Sequence, residues 1–252
     1  MSRVAVVTGS SGAIGAATCA HLAEAGYTVV GLDVRPPAAG PDPRPPAAGP
    51  ESRPPAAGPG HRHLTVDLAD PRAVTEAFDE VAAELGRPAV LVNNAGVYLA
   101  RDFLDTTAEE LDRVLAVNVK GAFWCAQAFA RQVVAAGGDE PAAIVNVASV
   151  SGQTGSPDAA YGASKGAVIA LTRSLAGVLA PYRIRVNAVA PGIVHSAMAD
   201  RIPADRQAHY LDGIPLGRFG RPGEIAAVIT MLASATAGYM TGAVVYVNGG
   251  LH

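Results

Sequence analysis

The amino-acid sequence predicts a single α/β domain, a doubly wound parallel sheet of about seven strands with helices on both faces. Three observations carry this. Short Val- and Ile-rich runs alternate with longer stretches of helical character along nearly the whole chain, and such near-continuous apolar runs are the mark of strands buried on both faces. The first run passes directly into a glycine-rich turn followed by a helix, the opening unit of a dinucleotide-binding sheet. The alternation fails at one place only, between the second run and the third, where a proline-rich repeat stands instead of a helix.

Taken in order, the strands are "RVAVVTG", "TVVGLDV", "HLTVDL", "AVLVNNAG", "AAIVNVAS", "IRVNAVAPG" and "AVVYVNGG", each ending in Gly, Asn, Asp, Ser or a residue beside one. Helices are expected over Ala13–Ala25, Pro71–Leu85, Thr107–Ala136, Ala159–Ala180 and Pro222–Ala233, which supply the crossovers that parallel strands require. The exception, residues 35–60, belongs to "RPPAAGPDPRPPAAGPESRPPAAGPGH", a nine-residue unit written three times and holding ten of the chain's 19 prolines. Proline blocks helix and central strand and glycine interrupts polyproline, so the stretch builds no core of its own. Residues 1–34 are too short to bury a core alone and must share a sheet with the chain beyond Gly60. The repeat is therefore an insertion within residues 1–252, not a linker between domains. Two readings of it are open: a lid that lays Arg35, Arg44 or Arg53 over the adenosine end of a cofactor, and, favoured because the repeat has no aromatic or long aliphatic anchors, a solvated loop replacing a surface helix.

Composition narrows the function classes. Half of the 252 residues are apolar and the formal charge is −3, which gives nucleic acid nothing to hold. No apolar stretch reaches the length a bilayer requires before Gly, Pro or charge breaks it, and the chain opens straight into a strand, so no membrane partner and a cytoplasmic location are expected. Cys19 and Cys125 fall in helical stretches and read as buried structural thiols. His61 and His63 resemble a ligand pair without a third ligand, and no metal is expected.

The first chemical site is "VVTGSSGAIG". Gly9 and Gly15 lack Cβ atoms, so backbone can approach a pyrophosphate and the helix can pack close to its strand, while free amides at the helix start face the anion. Asp33 follows Gly15 by eighteen residues at the end of the second strand, where a carboxylate accepts both hydroxyls of an adenosine ribose and repels a 2′-phosphate. With Gly12 and Val34 supplying no cation, NAD is favoured over NADP, although Arg35 stands close by. The second site is "YGASK", with Ser149 ahead of it at a strand end. Tyr161 and Lys165 lie one helical turn apart on one face, and an adjacent ammonium and an oxidised nicotinamide ring are both expected to favour the phenolate of Tyr161.

Together, "TGSSGAIG", Asp67 in "VDLAD", "NNAG", Asn118 in "VNVKG", Ser149, "YGASK" and the "PG" at 191 and 192 resemble the short-chain dehydrogenase/reductase family over Val4–Gly250, apart from the insertion. The resemblance implies a Rossmann-type fold and a catalytic tetrad of Asn118, Ser149, Tyr161 and Lys165. It also implies cofactor contacts from Gly9, Ser11, Gly12, Ile14, Asp33, Asp67, Leu68, Asn94, Ala95, Gly96, Tyr161, Lys165, Pro191, Gly192, Ile193 and Ser196. In these roles Ser149 holds the substrate oxygen, Tyr161 moves its proton, Lys165 serves Tyr161 and the nicotinamide ribose, and Asn118 holds a water leading to Lys165. Two departures stand out: Ala13 occupies the place of the usual middle glycine, and the Ser149 to Tyr161 spacing is twelve residues, short for the family.

The implied reaction interconverts a secondary alcohol and a ketone on a small molecule by hydride transfer. The segment "IPLGRFGRPGEIA" and the tail "YMTGAVVYVNGG" look like those of 3-oxoacyl-carrier-protein reductases, the alternative reading, whereas the acidic "GGDEPAA" before the fifth strand disfavours an acidic carrier. A non-catalytic nucleotide-binding scaffold would have no need of the full tetrad. Apolar residues on more than one face of the helices near 111–134 and 160–180 predict a homotetramer or homodimer.

Overall fold

A computed structural model describes residues 3–36, 61–137 and 140–251. All but the start of the proline-rich insertion, including Arg44 and Arg53, lies outside these residues, as do Gly138 and Asp139 of the acidic stretch.

Seven strands form one parallel sheet in the order β3-β2-β1-β4-β5-β6-β7. They are β1 (Val4–Thr8), β2 (Thr28–Asp33), β3 (His61–Thr65), β4 (Pro88–Asn93), β5 (Ala142–Val147), β6 (Ile184–Pro191) and β7 (Val244–Val247). The helices are α1 (Ala13–Glu24), α2 (Pro71–Leu85), α3 (Ala108–Leu115), α4 (Ala122–Ala135), α5 (Ser151–Thr154), α6 (Ala159–Leu179), α7 (Ala204–Asp212) and α8 (Pro222–Ala233).

Period-two alternation sorts the strand residues between two apolar layers. Val6, Val30, Leu32, Leu91 and Ile144 face Phe78 of α2 and Phe129 of α4. Ala5, Val7, Val29, Val92 and Val145 face Leu22 of α1 and Ile225 and Ile229 of α8. Phe78 and Phe129 are fully buried, so truncating either to Ala costs about 3–5 kcal/mol. Cys19 and Cys125 are free and buried as expected, and burial pushes both thiols up to about 12.

Helix starts follow local rules. Asp70 caps α2, accepting from Arg72 N at 2.8 Å with Pro71 next in line, and Thr107 and Glu110 close a reciprocal capping box on α3. One expectation fails. The single helix expected over Thr107–Ala136 is broken by a π-helical turn, Ala116–Gly121, that separates α3 from α4. A wider turn inserts a residue without ending the helix, and such insertions gather at functional sites. Here it buries Asn118 and brings Gly121 against Leu68, where a Cβ on Gly121 would come within 3.0 Å of the leucine Cβ.

Candidate active site

Strand order reverses between β1 and β4, and the crevice at their carboxyl ends is where an open parallel sheet binds ligands. The glycine-rich turn sits there. Gly9 has φ +65°, and a Cβ on it would lie 2.8 Å from Ala95 Cα. A Cβ on Gly15 would lie 2.1 Å from Gly9 O, and one on Gly12 a tolerable 3.3 Å away. Asn94 locks the turn to β4: its Nδ2 donates to Thr8 O at 2.9 Å and Gly9 O at 3.1 Å, while Thr8 Oγ1 accepts from the amides of Asn94 and Ala95. Helix α1 then opens at Gly12 with no side chain capping it, and Ile14 packs back into the core. Ala13, the departure from the expected glycine, is the first residue of α1 and leaves the turn intact.

At the end of β2 the Asp33 carboxylate is 6% exposed. Its Oδ2 accepts from Ser11 N and its Oδ1 from Arg35 N, both at 3.0 Å, and Arg35 Nε stands 3.6 Å away. Ser11 Oγ donates to Arg35 O. Each carboxylate oxygen keeps acceptor capacity for a further donor. Asp67 is exposed, with its side chain turned to Ala69 N at 2.9 Å, whereas Leu68 places its side chain in the core and has only backbone to offer a ligand.

The second cluster forms across β4, β5 and α6. The Ser149 hydroxyl, which accepts from Ser151 N at 3.1 Å, faces the Tyr161 phenol. Lys165 Nζ is buried, donates to Val147 O at 2.8 Å and lies 5.7 Å from the Tyr161 ring centre. A Cβ added to Gly96 would stand 3.4 Å from that Nζ, in ordinary contact, so the Gly96 backbone runs directly beside the ammonium. Asn118 is a bracket: Oδ1 accepts from Val97 N at 2.7 Å, while Nδ2 donates to Val97 O and Ser164 Oγ, both at 3.0 Å.

Burial pushes the Tyr161 phenol up to about 12 and brings Lys165 down to about 8, and the Ser149 hydroxyl beside the phenol works the other way on Tyr161.

On the far side, Pro191 O accepts from Val150 N, Gly192 packs so closely on Asn248 that a Cβ would come within 2.9 Å of its Cα, and Ile193 O accepts from Gly220 N. Ser196 Oγ donates to Val194 O and accepts from Ala199 N. A cavity of about 220 Å³ lined by Val150, Thr154, Tyr246 and Asn248 begins one residue beyond Ser149. His61 and His63 share one strand of the edge, and no cluster of three or more metal-binding side chains occurs among the described residues.

Four participants escaped the sequence reading. Tyr98 sets its ring edge-on to Tyr161 with centres 5.2 Å apart. Asp158, fully buried, caps α6 by accepting from Tyr161 N at 3.0 Å and reaches Leu99 N with its other oxygen. Gly152 of α5 lies flat on α6, where a Cβ would be 2.6 Å from the Lys165 carbonyl carbon. Arg206 of α7 sets its guanidinium beside the Tyr98 hydroxyl. Asp158 was findable, since Asp three residues before a helical tyrosine is an N-cap signature; the others carry no local signal.

A parallel sheet with a glycine turn at its switch point, an acidic residue ending the second strand and a Ser-Tyr-Lys cluster beside them define the dinucleotide-binding oxidoreductases. A family model described as enoyl-(acyl carrier protein) reductase matches residues 9–252. Cis-4-hydroxycyclohexanecarboxylate dehydrogenase of Sinomonas cyclohexanicum is 40% identical over 98% of this chain and 96% of its own. A 3-oxoacyl-[acyl-carrier-protein] reductase of Thermotoga maritima is 35% identical over 99% and 97%. Among solved structures, 4-hydroxyisoleucine dehydrogenase complexed with NADH superposes with a TM-score of 0.82 at 25% identity, covering 99% of this chain and 98% of that one. The chain belongs to the short-chain dehydrogenase/reductase family and is an oxidoreductase of alcohol and keto groups that uses a nicotinamide cofactor.

Proposed function

We propose that the chain is an NAD(H)-dependent enzyme that interconverts a secondary alcohol and a ketone on a small molecule, with Ser149, Tyr161 and Lys165 as its reacting and ligand-holding groups and Asn118 as their support. The observation that carries this is the placement of the Ser149–Tyr161 hydroxyl pair and the buried Lys165 beside the backbone at Gly96. The cradle fits a dinucleotide: Gly9, Gly12 and Gly15 leave backbone bare at the start of α1, whose first amides have no side-chain cap. Ser11, Ile14, Asp67, Leu68, Asn94, Ala95, Pro191, Gly192, Ile193 and Ser196 complete the proposed contacts. When bound, the nicotinamide supplies or accepts the hydride.

Ser149 donates to the substrate oxygen and fixes it opposite Tyr161. In the reduction direction the raised phenol holds its proton through the physiological range and gives it from Oη to the substrate oxygen as negative charge develops there. The Lys165 ammonium stabilises the phenolate so formed, and Asn118 fixes the 97–98 backbone beside it. Alcohol oxidation runs these steps in reverse.

Asp33 supports NAD(H) over NADP(H): its carboxylate is buried and fixed at the β2 end, and the one cation beside it among the described residues, Arg35, faces it as a counter-ion. A homodimer or homotetramer is supported by exposed Phe123 and Val134 on α4, Val178 on α6, and Tyr239 and Tyr246 beside and on edge strand β7. Among the described residues the one helix long and apolar enough to cross a membrane, Ala159–Tyr182, carries Tyr161 and Lys165 and packs on the sheet, which supports a cytoplasmic enzyme. The carrier-bound 3-oxoacyl substrate named for several relatives is the second reading. A panel of ketones, secondary alcohols and one 3-oxoacyl carrier protein, followed at the NADH absorbance band with both cofactors, tests all of this. Turnover of free ketones with NADH is expected, and turnover of the carrier substrate alone would favour the second reading.

A further inference from the structure

Resting on the oxidoreductase reading above, we infer that Arg206 is a specificity-determining residue, and that the substrate is an oxo or hydroxy acid whose free carboxylate it binds. The inference starts from the surroundings of the Tyr161 ring. Tyr98 stands edge-on to it at 5.2 Å, and the guanidinium of Arg206 lies beside the Tyr98 hydroxyl, near enough to act on it electrostatically. A substrate whose oxygen lies between Ser149 and Tyr161 has Tyr98 as its neighbouring wall, and Arg206 is one side chain further on. Among the described residues only one carboxylate faces that cation within ion-pair distance: Asp102 Oδ1 lies 3.6 Å from Arg206 Nη2, with the Asp102 side chain 71% exposed. A long contact to a solvated partner is worth little and is readily displaced. Asp158, the other acid near Tyr98, is occupied by the amides of Tyr161 and Leu99. Arg201 adds a second guanidinium on the same wall, donating to Tyr98 O at 3.0 Å.

The Arg206 side chain is 28% exposed, so its charge is partly desolvated, and its planar fork of five donors has more than Tyr98 and Asp102 can use. A carboxylate matches that fork with two parallel hydrogen bonds, which a neutral ester cannot do. The short reach also separates this ligand from a carrier-bound thioester, whose prosthetic phosphate lies a long flexible chain away from the reacting carbonyl.

The test uses short open-chain 3-, 4- and 5-oxo acids and an alicyclic 4-oxo acid, each against its methyl ester, with the full-length wild type and Arg206→Met. A hydrogen-bonded charge pair of this kind corresponds to about tenfold or more in affinity. For at least one oxo acid, the wild type is expected to show kcat/KM at least about tenfold above that of its ester, mostly through KM. In Arg206→Met the acid-to-ester ratio falls toward one, and Arg206→Lys recovers part of it. NADH fluorescence titration verifies that the variants are folded. Equal use of acid and ester by the wild type overturns the inference, as does an unchanged ratio in Arg206→Met, which would make Arg206 a brace for the 98–102 loop. If neither acids nor esters turn over with either cofactor, it is the oxidoreductase reading of free ketones that fails.

Discussion

Replacing Gly15 by Ala tests the cofactor cradle where its geometry is tightest. The added methyl would stand 2.1 Å from Gly9 O and 2.8 Å from Asn94 Nδ2, so the turn must move by about 1 Å to restore ordinary contact. Moving Gly9 O strains its hydrogen bonds from Asn94 Nδ2 and Gly12 N, each at 3.1 Å. Overpacking by one methyl at about 1–3 kcal/mol and two weakened hydrogen bonds at about 0.5–1.5 kcal/mol each give a loss of about 2–6 kcal/mol. For a chain of this length that lowers Tm by about 4–24 °C. The control is Gly12→Ala, whose methyl meets Gly9 O at 3.3 Å and needs an adjustment of only tenths of an ångström. Thermal unfolding and NADH fluorescence titration of both variants decide the matter. Gly15→Ala is expected to melt early and to lose NADH affinity by an order of magnitude or more, with Gly12→Ala near the wild type in stability. A Gly15→Ala protein that melts within about 2 °C of wild type and binds NADH equally well would refute the packing argument.

Three further outcomes are expected. Lys165 is held near 8 by burial while Tyr161 keeps its proton up to about 12, so the ammonium is lost first as pH rises. The kcat/KM for ketone reduction should therefore decline above about pH 8, and a flat profile to about pH 10 would contradict the assignment. His61 is pulled below its ordinary value by burial and by His63, so the unfolded chain binds its proton more readily; stability present above about pH 6.5 is lost as pH falls toward the folded value. His61→Gln should show a smaller acid-induced fall in Tm than wild type. Static light scattering at micromolar concentration should return a multiple of the 25.5 kDa monomer, and a monomer mass would refute the assembly reading.

Much of this molecule could be read from its sequence, for identifiable reasons. Each strand is a short β-branched run, and Gly9, Gly15, Asp33 and the Tyr161–Lys165 pair are local patterns whose spacing alone fixes their geometry. The features that escaped depend on contacts between distant segments. Nothing near Asn118 announces a π turn, because the inserted residue is stabilised by packing of Gly121 on Leu68, some fifty positions earlier. Tyr98 and Arg206 sit over a hundred residues apart and meet only because the β4 loop and α7 converge on one crevice. The direction of the Tyr161 shift is hidden for a similar reason. Proximity to Lys165 is visible in the spacing, whereas burial of both groups is a property of the folded crevice.

The most direct test is Tyr161→Phe, assayed for ketone reduction with NADH alongside a titration of NADH binding. The hydroxyl acts on the substrate and not on the dinucleotide, so kcat should fall by well over tenfold while the dissociation constant for NADH stays within a few-fold of wild type. A variant that keeps more than about a tenth of wild-type kcat, a barrier change under about 1.4 kcal/mol, would show that Tyr161 is not the group that moves the proton.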